Sequence, residues 1–176
     1  KLYGVAANKV LVGRGSDEAI DLLMRMYCRA GMDNVIICPP TFGMYGVAAR
    51  IQGAEVRAVP LRADAGFALD EAALLARVDE NTRLVFVCSP NNPTANVVPP
   101  EQLLRIARAL APRALLVVDE AYIDFAGVES LCSAIEEVPG IAILKTLSKA
   151  HGLAGARVGA LIAAPEVIAL ARKVIP

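Results

Sequence analysis

Residues 145–159 carry the densest group of reactive side chains in the sequence. Thr146, Ser148 and Lys149 directly follow an apolar run, and Arg157 comes after a loop that contains two glycines. Hydroxyls, an amine and a guanidinium at the end of a buried strand are costly unless an anionic ligand meets them there. Taken alone, the segment fits a solvated strand end with an outward-pointing lysine equally well, so the other motifs must decide.

A carboxylate is predicted at a second buried strand end. Asp119 directly follows the apolar residues 115–118. A carboxylate in such a place is costly unless it pairs with a cation or a hydrogen-bond donor. A structural salt bridge would satisfy it, and so would the protonated ring nitrogen of a cofactor. By themselves, Asn92 and Tyr122 are ordinary turn or core residues, and Phe42 is an apolar side chain after a turn.

The segment before the first predicted helix favours a single phosphate over a dinucleotide. Gly13 and Gly15 precede the helix as in the G-x-G-x-x-G motif, but Glu18 occupies the place of the third glycine. We therefore expect the backbone amides of Ser16 and Asp17 to bind one phosphate, and the Ser16 side chain to cap the helix. An ordinary helix N-terminus is the alternative.

These residues follow the elements of a repeating pattern of apolar runs and amphipathic segments. Strands are predicted at residues 10–12, 35–38, 55–61, 84–88, 114–118, 141–144 and 158–163. Helices are predicted at residues 16–30, 41–52, 70–78, 99–110 and from 165 onward. Apolar strands that alternate with helices indicate a mostly parallel sheet covered on both faces, which is a three-layer α/β fold. Because ligands bind at the carboxyl ends of such strands, we expect the polar residues to meet at one edge of the sheet.

Composition disfavours several classes of partner. The 176 residues suit one domain, and 18 basic residues balance 18 acidic ones, so no overall field favours nucleic acid or an anionic membrane. No apolar segment approaches the ~20 residues that span a bilayer. The four cysteines lack a C-x-x-C pair, which favours buried free thiols in a reducing cytoplasm. His151 is the only histidine, so neither a metal site nor a hydrolase triad is expected.

Six short motifs follow one another along essentially the whole chain. They are Gly-Ser-Asp-Glu at 15–18, Pro-Pro-Thr at 39–41, Cys-Ser-Pro-Asn-Asn-Pro-Thr at 88–94, Val-Asp-Glu-Ala-Tyr-Ile at 118–123, Thr-Leu-Ser-Lys-Ala at 146–150 and Leu-Ala-Gly-Ala-Arg at 153–157. In this order they resemble the fold-type I pyridoxal-phosphate aminotransferases, and most closely the histidinol-phosphate aminotransferases. The ordered set is specific, although each motif alone is weak.

The resemblance implies pyridoxal 5'-phosphate as the cofactor and a role for each candidate residue. Lys149 would form a Schiff base with the cofactor and then move the substrate proton, and Asp119 would pair with the pyridinium nitrogen. Tyr122 would complete the catalytic group. The other roles are binding of the phenolic oxygen by Asn92 and Tyr122, ring stacking by Phe42, and phosphate binding by Ser16, Asp17, Ser148 and Arg157, with Thr146 in support.

The resemblance also implies a sheet whose seventh strand is antiparallel, and a homodimer. Residues 1–176 would be a single cofactor-binding large domain, without the N-terminal arm and C-terminal small domain of the family. Hydrophobic residues make up 56% of the chain, which fits surfaces that other protein covers.

The expected reaction moves an amino group from histidinol phosphate to 2-oxoglutarate, which are small-molecule partners. Three alternatives stay open: a threonine-phosphate decarboxylase, another amino-acid aminotransferase, and a fragment that binds cofactor without turnover.

Two residues depart from the family pattern. Phe42 stands where tyrosine is usual, which keeps the ring and loses the hydroxyl. Ala95 stands where glycine usually follows Asn-Pro-Thr, so we expect this turn to avoid a positive φ at Ala95 and to place it at Asn96 instead.

Overall fold

The seven apolar runs all form strands, and they lie side by side in one sheet. This is seen in a computed structural model, which describes residues 2–175; residues 1 and 176 of the predicted domain lie outside that part. The strands are β1 (Val10–Gly13), β2 (Asn34–Ile37), β3 (Glu55–Ala58), β4 (Thr82–Cys88), β5 (Leu115–Asp119), β6 (Ile141–Thr146) and β7 (Gly159–Ala163). The α-helices in the described part are α1 (Ser16–Tyr27), α2 (Met44–Gln52), α3 (Glu71–Ala76), α4 (Pro100–Leu110) and α5 (Pro165–Val174). None of these helices is long and apolar enough to cross a bilayer.

The order of the strands in the sheet is β1-β7-β6-β5-β4-β2-β3. Strand β7 is antiparallel to both of its neighbours, and every other pair is parallel. The predicted class, a seven-stranded and mostly parallel sheet whose seventh strand is antiparallel, is confirmed. Because β4, β5 and β6 are adjacent, the loops that follow Cys88, Asp119 and Thr146 leave the sheet side by side.

Successive side chains of each strand alternate between two apolar cores, one on each face of the sheet. In β5, Leu115 and Val117 belong to the core that α1, α2 and α5 cover. Leu116 and Val118 belong to the core on the other face, under α3 and α4. Both faces are therefore covered, which gives the predicted three layers and explains why the strands read as unbroken apolar runs.

Several elements are shorter than predicted. Helix α1 ends at Tyr27 and not at residue 30, and α3 spans Glu71–Ala76 within the predicted 70–78. Helix α2 begins at Met44 and not at residue 41, because Thr41 is held outside it: its Oγ1 donates to Asn91 Oδ1 at 2.9 Å. Strand β3 ends at Ala58 and not at residue 61. Val59 and Leu61 still donate to the Ile37 and Pro39 carbonyls, but Pro39 has no N–H to donate in return, so the regular pairing stops there. The late start of α2 places Phe42 in a loop rather than on a helix.

The four cysteines are buried and free, as their apolar neighbours predict. Burial raises the pKa of the Cys38 and Cys88 thiols to about 12 and that of Cys28 to about 11. These thiols therefore stay protonated at neutral pH, which makes them poor nucleophiles.

Asp33 is expected to stabilise the fold in a pH-dependent way. Its buried carboxylate accepts three hydrogen bonds from Arg29, at 2.8 to 3.0 Å, and lies 3.0 Å from the Arg83 guanidinium. The Arg29 side chain is the main reason why the pKa of Asp33 falls to about 2. Asp33→Asn should lower the free energy of unfolding by about 2 kcal/mol at pH 7, measured by urea denaturation.

The difference between Asp33→Asn and wild type should shrink as the pH falls from about 4 to about 2, because the folded-state pKa is depressed and the stabilisation is lost below it. Asp21→Asn is the matched control. Asp21 pairs with Arg25 at the surface at 2.8 Å, and its loss should cost under about 0.5 kcal/mol. Equal losses in the two variants would contradict the stabilising role of the buried pair.

Candidate active site

A cavity of about 110 Å³ lies at the carboxyl ends of the central strands. It is lined by side chains from the segments that follow β1, β2, β4, β5 and β6. All ten candidate residues contribute to this lining: Ser16, Asp17, Phe42, Asn92, Asp119, Tyr122, Thr146, Ser148, Lys149 and Arg157. The sheet therefore gathers groups that are far apart in sequence around one small space, as the strand-end rule predicts.

Asp119 is the last residue of β5, and its carboxylate is buried without a cationic partner among residues 2–175. Its Oδ1 accepts from the Ala121 amide at 3.0 Å, and its Oδ2 accepts from the Tyr45 hydroxyl at 2.7 Å. Burial raises the pKa of this carboxyl above its usual range, although both hydrogen bonds act in the opposite direction. A cation that entered the cavity would remove this cost.

The N-terminus of α1 forms another wall of the cavity. The prediction that the Ser16 side chain caps the helix is wrong, because Gly15 occupies the N-cap position and no side chain caps the helix. Gly15 has φ 91° and ψ 170°, a region that is essentially restricted to glycine. The Ser16 and Asp17 amides of the first turn therefore remain able to donate hydrogen bonds to an anion. The positive end of the helix dipole would attract the same anion.

The Arg157 guanidinium lies across the start of α1. Its Nη2 is 3.5 Å from Asp17 Oδ2, and a Cβ at Gly15 would lie only 2.8 Å from the same nitrogen. Arg157 itself has φ 51° and ψ 51°, a left-handed conformation that costs about 1 kcal/mol or more for a residue with a Cβ. A cation is thus held, under backbone strain, beside a helix N-terminus.

Hydroxyls complete this end of the cavity. Thr146 Oγ1 donates to Ser148 Oγ at 3.0 Å and accepts from the Ser148 amide at 3.2 Å. The pair holds the chain in a tight turn as it leaves β6. Hydroxyls, uncapped amides and a guanidinium are the donors that a phosphate group accepts from.

Lys149 follows this turn, and its amine makes no ion pair among the described residues. Its Nζ lies 5.4 Å from the centre of the Tyr122 ring, within the range of a cation–π contact. Both side chains line the same cavity as Asp119. The amine is therefore available to react with a ligand there.

The family model described as aminotransferase class I and II matches residues 1–176. The chain belongs to the class I and II aminotransferases. The histidinol-phosphate aminotransferase of Stenotrophomonas maltophilia (strain R551-3) is 48% identical over 179 aligned positions, and the alignment covers 98% of this chain and 48% of that relative. The chain thus spans about half the length of the curated relatives it matches.

Solved aminotransferases share the fold of this chain. The aspartate aminotransferase from Thermus thermophilus with maleate has a TM-score of 0.88 at 28% identity, over 97% of this chain and 45% of that one. The histidinol-phosphate aminotransferase from Clostridium acetobutylicum has a TM-score of 0.86 at 21% identity, over 96% and 49% of the two chains. The second likeness shows the fold alone. Because aminotransferases named for different substrates match this well, the fold does not identify the substrate.

Asn91 joins two loops of this chain, a structural role that the sequence analysis did not predict. Its Nδ2 donates to the Pro40 carbonyl at 2.8 Å, and its Oδ1 accepts from Thr41 Oγ1 at 2.9 Å. These bonds hold the loop that carries Phe42 against the loop that carries Asn92. The only signal in the sequence was a second polar residue in the turn after β4.

The predicted conformation of the turn after Asn92 is wrong. Ala95 has φ +60°, whereas Asn96 is not among the residues with positive φ. Asn96 is held by its contacts: its Nδ2 donates to the Phe67 carbonyl at 3.0 Å, and its carbonyl accepts from the Asn91 amide at 2.9 Å. Ala95 therefore adopts the left-handed conformation that reverses the chain, which costs about 1 kcal/mol for a residue with a Cβ.

Glu120, next to Asp119 in this aminotransferase chain, has the opposite environment. Its carboxylate lies 2.7 Å from the Lys145 amine, and it accepts from Ser130 Oγ at 2.5 Å and from the Leu131 amide at 2.8 Å. The one lysine buried beside these two carboxylates among the described residues is thus paired with Glu120. Asp119 is left with neutral donors only.

Proposed function

We propose that this chain is the cofactor-binding large domain of a pyridoxal-phosphate-dependent aminotransferase, which transfers the amino group of histidinol phosphate to 2-oxoglutarate. Family membership and the names of the relatives support the reaction type and the substrate. One observation carries the cofactor assignment. The buried Asp119 carboxylate has no cation among the described residues, and it shares a cavity with the free Lys149 amine and an uncapped helix N-terminus.

The donor set fits the two ends of pyridoxal 5'-phosphate. The first-turn amides of α1, with Ser148 and Arg157, offer hydrogen bonds and positive charge to the phosphate. Thr146 supports Ser148 through the hydrogen bonds between them. At the opposite end, Asp119 offers a carboxylate to the ring nitrogen, where it would hold the proton that makes the ring an electron acceptor.

The remaining residues orient the ring and the substrate. Phe42 would cover one face of the ring, and Asn92 and Tyr122 would donate to its phenolic oxygen. When bound, the cofactor delocalises the electron pair that is left when a substrate Cα–H bond breaks. Lys149 would hold the cofactor through its Nζ and, once an amino substrate displaces it, would move the proton at the substrate Cα.

The whole protein would contain more than this domain. Because the relatives are about twice as long as the chain, we propose that further segments supply the groups that bind the substrate's own carboxylate or phosphate. A cytoplasmic homodimer is the assembly that agrees with the family resemblance. Phe125 and Leu153 are 66% and 46% exposed near the site, and both would suit contacts with such segments or with a second subunit.

A panel of amino donors on the whole enzyme tests the proposed function. Histidinol phosphate, aspartate, methionine and threonine phosphate would each be supplied with 2-oxoglutarate, and glutamate formation would be measured. We expect kcat/KM for histidinol phosphate to exceed that of every other donor by at least about a hundredfold. A site built for both an imidazole and a phosphate is left with unpaired polar residues by threonine phosphate, which lacks the imidazole, and by aspartate and methionine, which lack both groups.

Three results would contradict the proposal. Faster transfer from aspartate or methionine would indicate another aminotransferase. Release of carbon dioxide from threonine phosphate without glutamate formation would indicate the decarboxylase alternative. A wild-type chain that folds but takes up no pyridoxal 5'-phosphate would refute the cofactor assignment itself.

A further inference from the structure

Tyr45 makes the only side-chain hydrogen bond to Asp119 among the described residues. Its hydroxyl donates to Asp119 Oδ2 at 2.7 Å, and both side chains are buried. Tyr45 lies on α2, so this bond links the helix layer formed by α1, α2 and α5 to the end of β5. No other titratable side chain of the described part satisfies that oxygen.

The Tyr45 ring is fixed from two sides. It stacks on Phe86 of β4 with ring centres 4.9 Å apart, and it makes a T-shaped contact with Phe42, with ring centres 5.6 Å apart and the planes at 78°. A ring packed in this way has little rotational freedom, so the position of its hydroxyl is set by the core rather than by Asp119. The hydroxyl can therefore orient the carboxylate.

An ionised carboxylate offers about four acceptor positions. The Ala121 amide and the Tyr45 hydroxyl occupy one on each oxygen, so others remain for a ligand in the cavity. Both donors are neutral. They favour the ionised carboxylate but do not neutralise it, as a lysine or arginine would. The negative charge of Asp119 therefore remains available to attract a cationic ring.

We propose that Tyr45 is a positioning residue for Asp119: its hydroxyl holds the carboxylate in one orientation and in its ionised form, ready to accept a hydrogen bond from the protonated ring nitrogen of the cofactor. This inference rests on the proposed function. It concerns a residue that would not touch the cofactor nitrogen and acts through Asp119 alone.

Other groups also face Asp119 and must be considered in a titration. Cys88 lies on the neighbouring strand β4, Asp17 on α1 raises the pKa of Asp119 by its charge, and the adjacent Glu120 does the same. The hydrogen bond from Tyr45 lowers the pKa of Asp119. Burial and the nearby Asp119 keep the pKa of the Tyr45 hydroxyl itself well above its usual range, so it remains a donor at all accessible pH values.

The first measurement is carbon-13 NMR of aspartate carboxyl groups in the cofactor-free 176-residue chain. In Tyr45→Phe, the Asp119 signal should titrate at a higher pH than in wild type, because the ionised form loses a donor. The control is Tyr27→Phe. It removes a hydroxyl from a partly buried tyrosine of the same core and should leave Asp119 unchanged.

A second variant keeps the packing intact. Site-specific 3-fluorotyrosine at position 45 has nearly the same size and a more acidic hydroxyl, so it should move the Asp119 titration to lower pH. In the whole enzyme, Tyr45→Phe should lower kcat about tenfold and leave KM for the amino donor within about twofold, since Asp119 acts on the ring rather than on substrate binding.

An Asp119 titration that is the same in wild type, Tyr45→Phe and the fluorotyrosine variant would overturn the proposal. So would a Tyr45→Phe enzyme whose kcat equals that of wild type. Failure of the proposed function would look different: wild-type chain would not take up pyridoxal 5'-phosphate at all, whereas the NMR titration does not depend on the cofactor.

Discussion

Lys149→Ala is expected to abolish the covalent adduct between this chain and pyridoxal 5'-phosphate. In wild type, borohydride should reduce the bond between Lys149 Nζ and the aldehyde carbon of the cofactor, and mass spectrometry should find the added mass on the peptide that contains Lys149. No other described lysine lines the cavity. In the whole enzyme we expect turnover to fall by at least about a thousandfold, because the same amine would move the substrate proton.

Lys173→Ala is the matched control for this experiment. Lys173 is exposed in the last turn of α5 and does not line the cavity, so its loss should leave both the adduct and its yield unchanged. An adduct that persists in Lys149→Ala, or that appears on several lysines in proportion to their exposure, would mean that Lys149 is an ordinary surface residue.

Gly159→Ala is expected to damage the fold and the anion site together. Gly159 begins β7, and a Cβ there would lie 2.5 Å from the Ser16 nitrogen, with other atoms of the Gly15–Ser16 peptide equally close. Backbone atoms cannot rotate away as a flexible side chain does, so α1 or β7 must shift. We expect a loss of more than about 3 kcal/mol in the free energy of unfolding, measured by urea denaturation.

The same shift would displace the first-turn amides of α1 from the cavity. The concentration of pyridoxal 5'-phosphate that half-saturates the chain should therefore rise at least about tenfold in any Gly159→Ala protein that folds. Gly155→Ala is the control, because a Cβ at Gly155 would meet open space. Equal stability and affinity in the two variants would show that the close approach at Gly159 is unimportant.

Buried apolar runs made the sheet predictable. A strand that is covered on both faces must be apolar along its length, so runs such as 84–88 and 141–144 identify strands without tertiary information. The residues after those runs were predictable as a site for a related reason, because parallel strands bring their carboxyl ends to one edge. The antiparallel seventh strand was expected only from the family resemblance, since its apolar pattern is like that of its parallel neighbours.

Element ends and turn conformations were less predictable. Helix α2 begins after Thr41 because Asn91, on a loop distant in sequence, accepts a hydrogen bond from the Thr41 hydroxyl. Ala95 adopts a positive φ because contacts made by Asn96 leave the reversal to it. In both cases a long-range hydrogen bond outweighs a local preference of about 1 kcal/mol, and such a bond cannot be inferred from neighbouring residues.

The apolar runs of the sequence by themselves determined the mostly parallel sheet and the edge at which polar residues meet, and the ordered motifs, through their resemblance to a family, determined the ten residues that line the cavity. Only the tertiary structure decided which groups those residues touch. It leaves Asp119 without a cation and pairs Glu120 with Lys145, although the two acids are adjacent in sequence. It also directs Tyr45 to Asp119 rather than leaving it as an ordinary core residue. The physical reason is that successive residues at a strand end face opposite sides of the sheet, so their partners come from different layers.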